Sequence, residues 1–211
     1  MRLRNVKNKK EILSNCPFLI INPKEYKGKW KKYFKNDNPI YIEIGMGKGN
    51  FIIENARKYP NINFIGIEKF DSVIVRAIEK IEEYLPNLYL IRMDAIDIEE
   101  VFSKEIDIIY LNFSDPWPKN RHKLRRLTSP LFLKKYDSIF KNKKTIIQKT
   151  DNMELFEYSL VSLSNYGYIL EAVSLDLHNN PDIVNIETEY EKRFSSLGYK
   201  ILYLKATKDN K

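Results

Sequence analysis

Cysteine is almost missing from this chain. Cys16 stands alone in 211 residues, which excludes a disulfide framework or a cysteine-rich zinc site. Histidine is nearly as scarce. His122 and His178 are the only two, and neither falls in a metal-ligand spacing, so no metal is expected. Long apolar runs are also lacking. The longest are about four residues, as in Phe18-Leu19-Ile20-Ile21, far short of a membrane span. The basic N-terminus is followed by no apolar segment of signal-peptide type. A cytoplasmic protein with no membrane association is the expectation. What is present suits a folded domain: 43% hydrophobic and 30% charged residues. The length fits one domain, or one domain with a short appendage.

Charge is unevenly spread. Residues 1–35 carry eleven Lys/Arg against two acids, and residues 116–149 carry eleven against one, Asp137. The segments between and after them are acidic, although the net charge is +8. Scattered lysines would not segregate in this way, so a polyanionic partner is expected. Trp30, Tyr33 and Trp117 lie among the cations. No basic helix with a broad apolar face accompanies them, which favours nucleic acid over a membrane surface.

Residues 1–38 are basic and lack a clear period. They read as an arm with short elements, in which Trp30, Tyr33 and Phe34 dock on the body. The remainder, 39–211, reads as the main domain. Apolar runs predict strands over 40–44, 63–67, 88–92, 106–112, 145–149, 168–175 and 199–205. Helical patterns fall between them, including a long helix over 71–84 capped by Asp71. The alternation argues for a parallel α/β sheet covered on both faces, with a different ending where two strands lie close together.

Ligands of such sheets bind beyond the carboxyl ends of the strands, so the strand tips hold the candidate site. The first ends in Glu43-Ile44-Gly45-Met46-Gly47-Lys48-Gly49. Three of only seven glycines crowd into this turn, where a backbone can approach a ligand closely. The preceding acid disfavours a pyrophosphate and favours a cationic or zwitterionic ligand. The second strand ends in Glu68, whose two oxygens match the two hydroxyls of a ribose. The third ends near Asp94, equally readable as a helix cap or as an acceptor for an adenine amino group. The fourth leads into Asp115-Pro116-Trp117-Pro118-Lys119. Four further cations follow: Arg121, Lys123, Arg125 and Arg126. A strand-tip acid, an aromatic face and a basic run suit a functional loop better than a solvated one. Asp151 follows the fifth strand. Thr188-Glu189-Tyr190-Glu191 reads, in isolation, as a capped helix start.

Together these stretches resemble the bacterial tRNA (guanine-N7-)-methyltransferase family, which modifies guanine 46 of the tRNA variable loop. The resemblance runs in order over about residues 40–205. It is most specific in Ser114-Asp115-Pro116-Trp117-Pro118-Lys119, in Arg121-His122 and in Arg125-Arg126-Leu127-Thr128. Asn120 and Leu124 depart from it. It implies a class I S-adenosylmethionine-dependent methyltransferase fold: a Rossmann-like, seven-stranded α/β sheet with the last strand antiparallel. It further implies that Glu43, Gly45, Gly47, Glu68, Asp94 and Asp115 line the S-adenosyl-L-methionine site. Asp115 would be the catalytic residue. Lys119, Arg121, Arg125, Arg126, Asp151, Thr188, Glu189, Tyr190 and Glu191 would face the tRNA. No obligatory protein partner is expected. Three other readings stay open: an amino-group methylase with a related Asp-Pro loop, a non-catalytic tRNA-binding module, and a nicotinamide dehydrogenase, against which the glycine spacing counts.

Overall fold

The computed structural model describes residues 8–209. The chain opens with a short helix α1 (Lys9–Ser14), a two-residue strand β1 (Leu19–Ile20) and a short helix α2 (Trp30–Phe34). There follow β2 (Ile40–Ile44), α3 (Asn50–Lys58), β3 (Asn63–Glu68), α4 (Asp71–Ile78), β4 (Leu88–Arg92), α5 (Ile98–Val101) and β5 (Ile106–Asn112). The remainder is α6 (Pro130–Ile139), β6 (Phe140–Thr150), α7 (Met153–Asn165), β7 (Ile169–Ser174), α8 (Glu189–Ser196) and β8 (Leu202–Lys208). All strands join one sheet in the order β1-β4-β3-β2-β5-β6-β8-β7. Its strands pair in parallel, except that β8 runs antiparallel to β6 and β7.

The inner strands are parallel and covered on both faces, which is why they read as unbroken apolar runs. Ile40, Ile42, Ile44, Ile65 and Ile67 are all buried. One face packs Ile52, Ile53, Ile74 and Ala77 of α3 and α4 on Phe64, Leu88 and Leu90. The other gathers Trp30, Phe102, Leu133, Tyr136, Ile139 and Phe156. The chain steps outward from β2 to β3 and β4, then returns to place β5 beside β2. The carboxyl edge between β2 and β5 is therefore the topological switch point, where such sheets bind ligands.

The structure corrects the expected strand count from seven to eight. The added strand β1 comes from the segment read as an arm. Its ladder is too short for periodicity to reveal: Leu19 and Ile20 pair with Leu90 and Ile91 of β4. Trp30 is fully buried, donates its indole N–H to the Val101 carbonyl at 2.9 Å and packs on Phe102. The helix after Phe70 stops at Ile78, not at residue 84. Lys80 and Ile81 bond back three residues, to Ala77 and Ile78, so the last turn tightens and ends. Asp71 is the first helical residue and makes no capping bond; it pairs with Arg92 at 2.7 Å instead. Among the described residues, no helix is long and apolar enough to cross a membrane.

Candidate active site at the switch point

The glycine turn after β2 is held from below by β3. The amides of Gly45 and Met46 both donate to the Ile67 carbonyl, at 2.8 and 3.0 Å. Gly49 adopts φ +75°, and a Cβ there would lie 2.8 Å from the Ala77 side chain. Only glycine fits this contact between the turn and α4. Above Gly45 and Gly47 there is open space. Beneath the turn, Glu43 is 1% exposed. Its Oε1 accepts from Asn112 Nδ2 at 2.8 Å, while its Oε2 is buried without a partner. Burial pushes this carboxyl up to about 8, against the opposing pull of Asn112 and Lys149.

Glu68 ends β3 with its carboxylate turned back over the glycine turn. Oε2 accepts from the Gly47 amide at 3.2 Å; Oε1 accepts from Lys69 and Phe70 amides at 2.8 and 3.1 Å. Burial raises its pKa despite these three donors, and the Asp115 carboxylate nearby raises it further. Asp115, on the loop after β5, thus lies close enough for its charge to act on Glu68 at the tip of β3. Asp94 caps a 3₁₀ turn by accepting from the Ile96 amide at 3.2 Å. Its other oxygen takes Lys69 Nζ at 2.5 Å, and this partner lowers its pKa. The capping reading of Asp94 is realised, with one edge still facing solvent.

This donor set fits S-adenosyl-L-methionine. A buried, unpartnered carboxyl oxygen of Glu43 and the neighbouring acids suit a sulfonium and an ammonium group. Glu68 and Asp94 sit at successive strand tips, where a ribose and an adenine edge would lie.

The loop after β5 is strained and clamped. Phe113 and Trp117 hold φ of +51° and +42°, conformations that bulky residues adopt only when their surroundings impose them. Arg126 is one of the clamps. It is 5% exposed and donates Nε to the Pro116 carbonyl at 2.8 Å and Nη2 to the Trp117 carbonyl at 3.3 Å. The same guanidinium pairs with Glu154 at 2.6 Å and stacks over the Tyr158 ring. Arg126 was expected to face tRNA with the other loop cations. The structure corrects this: its cation is engaged in fixing the loop from inside. Lys119, Arg121 and Arg125 are exposed. Arg125 lies 4.9 Å from the Trp117 ring centre, so it and the indole present one face.

The segment before α8 crosses the same edge. Its anchor is Lys149 of β6, only 3% exposed. Lys149 Nζ donates to Asn185 Oδ1 at 3.0 Å, to the Ile186 carbonyl at 2.8 Å and to Glu191 Oε2 at 2.6 Å. Glu191 is fully buried and also accepts from Asn185, contacts His178 at 3.1 Å and closes a capping box with Thr188. Burial lowers the Lys149 pKa; the Glu191 charge opposes that. Thr188 and Glu191 were expected to touch substrate. Here Glu191 is a buried strut and Thr188 is the helix cap that it completes. Glu189 pairs with Lys48 at 3.2 Å and with Lys80, tying α8 to the glycine turn. Tyr190 is exposed, donates to Asp151 Oδ2 at 3.0 Å and stacks on Phe194.

Of the residues singled out in the sequence, Glu43, Gly47, Glu68, Asp115, Asp151, Glu189 and Tyr190 border the same edge. Sequence reading missed Lys149 and Asn112. Lys149 is the last residue of the fifth strand as read from the sequence, two residues before Asp151. Its position at a strand tip was the available signal.

A mostly parallel sheet with its last strand antiparallel, and with acid-tipped strands around a glycine turn, defines a class I S-adenosylmethionine-dependent methyltransferase. A family described as "Putative methyltransferase" matches residues 37–204. Solved methyltransferases share the fold at low identity. One is an antibiotic-related methyltransferase (TM-score 0.63, 19% identity, 87% of this chain and 94% of that one). Another is a mutant 16S rRNA (adenine(1408)-N(1))-methyltransferase of Catenulisporales acidiphilia with cosubstrate SAM (TM-score 0.62, 13% identity, 90% and 92%). Among curated proteins, the chain is 53% identical over 204 residues to a tRNA (guanine-N(7)-)-methyltransferase of Geobacillus sp. (strain WCH70), covering 95% of this chain and 93% of that one. It is 50% identical over 212 residues to that of Lachnoclostridium phytofermentans, covering 99% of each. The chain belongs to the tRNA (guanine-N(7)-)-methyltransferase family.

Proposed function

We propose that this protein transfers a methyl group from S-adenosyl-L-methionine to N7 of guanine in tRNA, at position 46 of the variable loop, in the cytoplasm. The observation that carries this reading is the position of Asp115. It lies on a loop held by two prolines, exposed, with its charge felt by Glu68. On one side are the acids of the glycine turn; on the other, the exposed cations Lys119, Arg121 and Arg125.

S-adenosyl-L-methionine, when bound, supplies an electrophilic methyl on a sulfonium. Glu43 and the glycine turn hold the methionine end, Glu68 the ribose and Asp94 the adenine side. Guanine N7 carries an in-plane lone pair and no proton, so no general base is needed. Asp115 accepts from the N–H edge of the base and stabilises the positive charge that develops on the purine. Lys119, Arg121 and Arg125 neutralise phosphates, and Trp117 offers a stacking face. Asp151 and Tyr190 border the base from the side of α8. Alignment of the two reactants supplies much of the remaining acceleration.

Transfer of labelled methyl to an unmodified tRNA transcript, followed by digestion to nucleosides, tests the reading. The expected product is N7-methylguanosine. A different methylated nucleoside, or none from a folded, cofactor-binding protein, overturns it.

A further inference from the structure

One basic segment has no part in this site. Residues 24–35 hold six lysines against one acid, Glu25. They run along the opposite, amino-terminal edge of the sheet. The amides of Gly28 and Trp30 donate to the two oxygens of Glu105, each at 2.9 Å, and Glu105 immediately precedes β5. Asn36 and Asn63, the first residue of β3, bond side chain to side chain at 2.7 Å. Tyr33 and Phe34 pack on Tyr89 near the start of β4. The seven residues of β5 put about 20 Å between this edge and Asn112, with Asp115 beyond it.

The lysines here are presented rigidly. Trp30 and Phe34 are buried in the core beneath them. Lys24 and Lys31 have partners, Glu100 and Asp37. Lys29, Lys32 and Lys35 are exposed and make no ion pair among the described residues. Lys141, exposed at the start of β6, is likewise unpaired there. Three other acids of this edge are engaged elsewhere: Glu105 on amides, Asp107 on the Ile40 amide at 2.8 Å, and Glu99 on Lys135. The result is a lysine-rich face on which Lys29, Lys32, Lys35 and Lys141 have no ion-pair partner among the described residues, far from the methyl-transfer edge.

We propose that this face is a second RNA contact, gripping tRNA phosphates remote from the target guanine. It deepens the tRNA reading above and rests on it. A membrane is the poorer partner. Between residues 23 and 38 the large apolar side chains point into the core, leaving nothing to insert into lipid. A ligand touching both edges must be long, charged and folded, which describes a whole tRNA and not its target loop alone. Because the lysines sit on an anchored frame, little ordering is needed on binding.

The test reads binding, not methylation. Affinities of the parent and of the triple variant Lys29→Gln, Lys32→Gln, Lys35→Gln are measured over a salt series. The RNAs are a full-length tRNA and a short hairpin bearing only the target loop. The variant is expected to bind full-length tRNA at least tenfold more weakly at low salt. The slope of log affinity against log salt should fall by about two to three units. Hairpin affinity should stay within twofold, and S-adenosylhomocysteine affinity by calorimetry reports the intact fold. Single variants Lys32→Gln and Lys141→Gln, on different elements, should each flatten the slope by about one unit; they serve if the triple variant loses cofactor binding. Unchanged tRNA affinity overturns the proposal. So does an equal loss for both RNAs, or a defect confined to phosphatidylserine vesicles. Failure to form N7-methylguanosine would overturn the activity reading and leave this binding result standing.

Discussion

The two halves of the switch-point edge are built with opposite charges. The cofactor half, at β2, β3 and β4, presents acids. Glu43, Glu68 and Asp94 each accept from a neighbouring side chain or amide and keep capacity to spare. The substrate half, at β6 and the loop after β5, is framed by buried cations. Lys149 and Arg126 reach out to carbonyls and to one glutamate each, pinning Glu191 and Glu154 respectively. On the proposed reading the acidic half takes the cofactor, and the buried cations fix the backbone of the half proposed to meet RNA. A residue's charge therefore says little about its role until its direction is known.

The comparison is broken most severely at Lys149. Lys149→Met leaves Glu191 buried and uncompensated, at an expected cost of about 3–5 kcal/mol in chemical denaturation. Adding Glu191→Gln should recover part of that loss, since the stranded charge is gone. A double variant no more stable than Lys149→Met alone contradicts the strut. On the acidic side, Glu68→Ala should weaken S-adenosyl-L-methionine at least tenfold, or about 1.4 kcal/mol, with the fold retained. Unchanged calorimetric affinity removes Glu68 from the site.

A further test sharpens the contrast through pH. Burial holds the Glu43 carboxyl near 8, against an ordinary 4.5. Across that window the unfolded chain ionises while the folded chain keeps the proton, so the parent loses stability as pH rises from the ordinary value to the raised one. Glu43→Gln keeps an acceptor for Asn112 and cannot ionise. Its thermal midpoint should exceed the parent's above pH 8 and converge with it below the ordinary carboxyl value. A constant offset over the whole range contradicts the raised carboxyl.

The acidic half was legible in the sequence and the cationic half was not, for a physical reason. An acid at or just beyond the end of a buried strand lies at the carboxyl edge, so Glu43, Glu68 and Asp115 follow from the strand pattern. Nothing in the spacing of Lys119, Arg121, Arg125 and Arg126 distinguishes a cation facing solvent from one curled under its own loop. Arg126 turns inward because Glu154 and the Tyr158 ring of α7 wait there, and that contact joins residues far apart in sequence. Glu191 was hidden in the same way: its partner Lys149 is 42 residues away. The strand β1 escaped because two residues carry no period. The central sheet itself was read almost residue for residue, since parallel inner strands must be apolar throughout.

The central claim is that Asp115 stabilises charge at the point where the two halves meet. It is tested most directly by single-turnover methyl transfer with tRNA and cofactor both saturating, comparing Asp115→Asn with the parent. The substitution keeps the size and one acceptor oxygen and removes the charge. The account predicts a rate lower by about 10²–10³-fold, with tRNA affinity retained. A folded variant that transfers methyl within a few-fold of the parent would contradict it, and would leave Asp115 as a residue that only shapes the proline-bound turn.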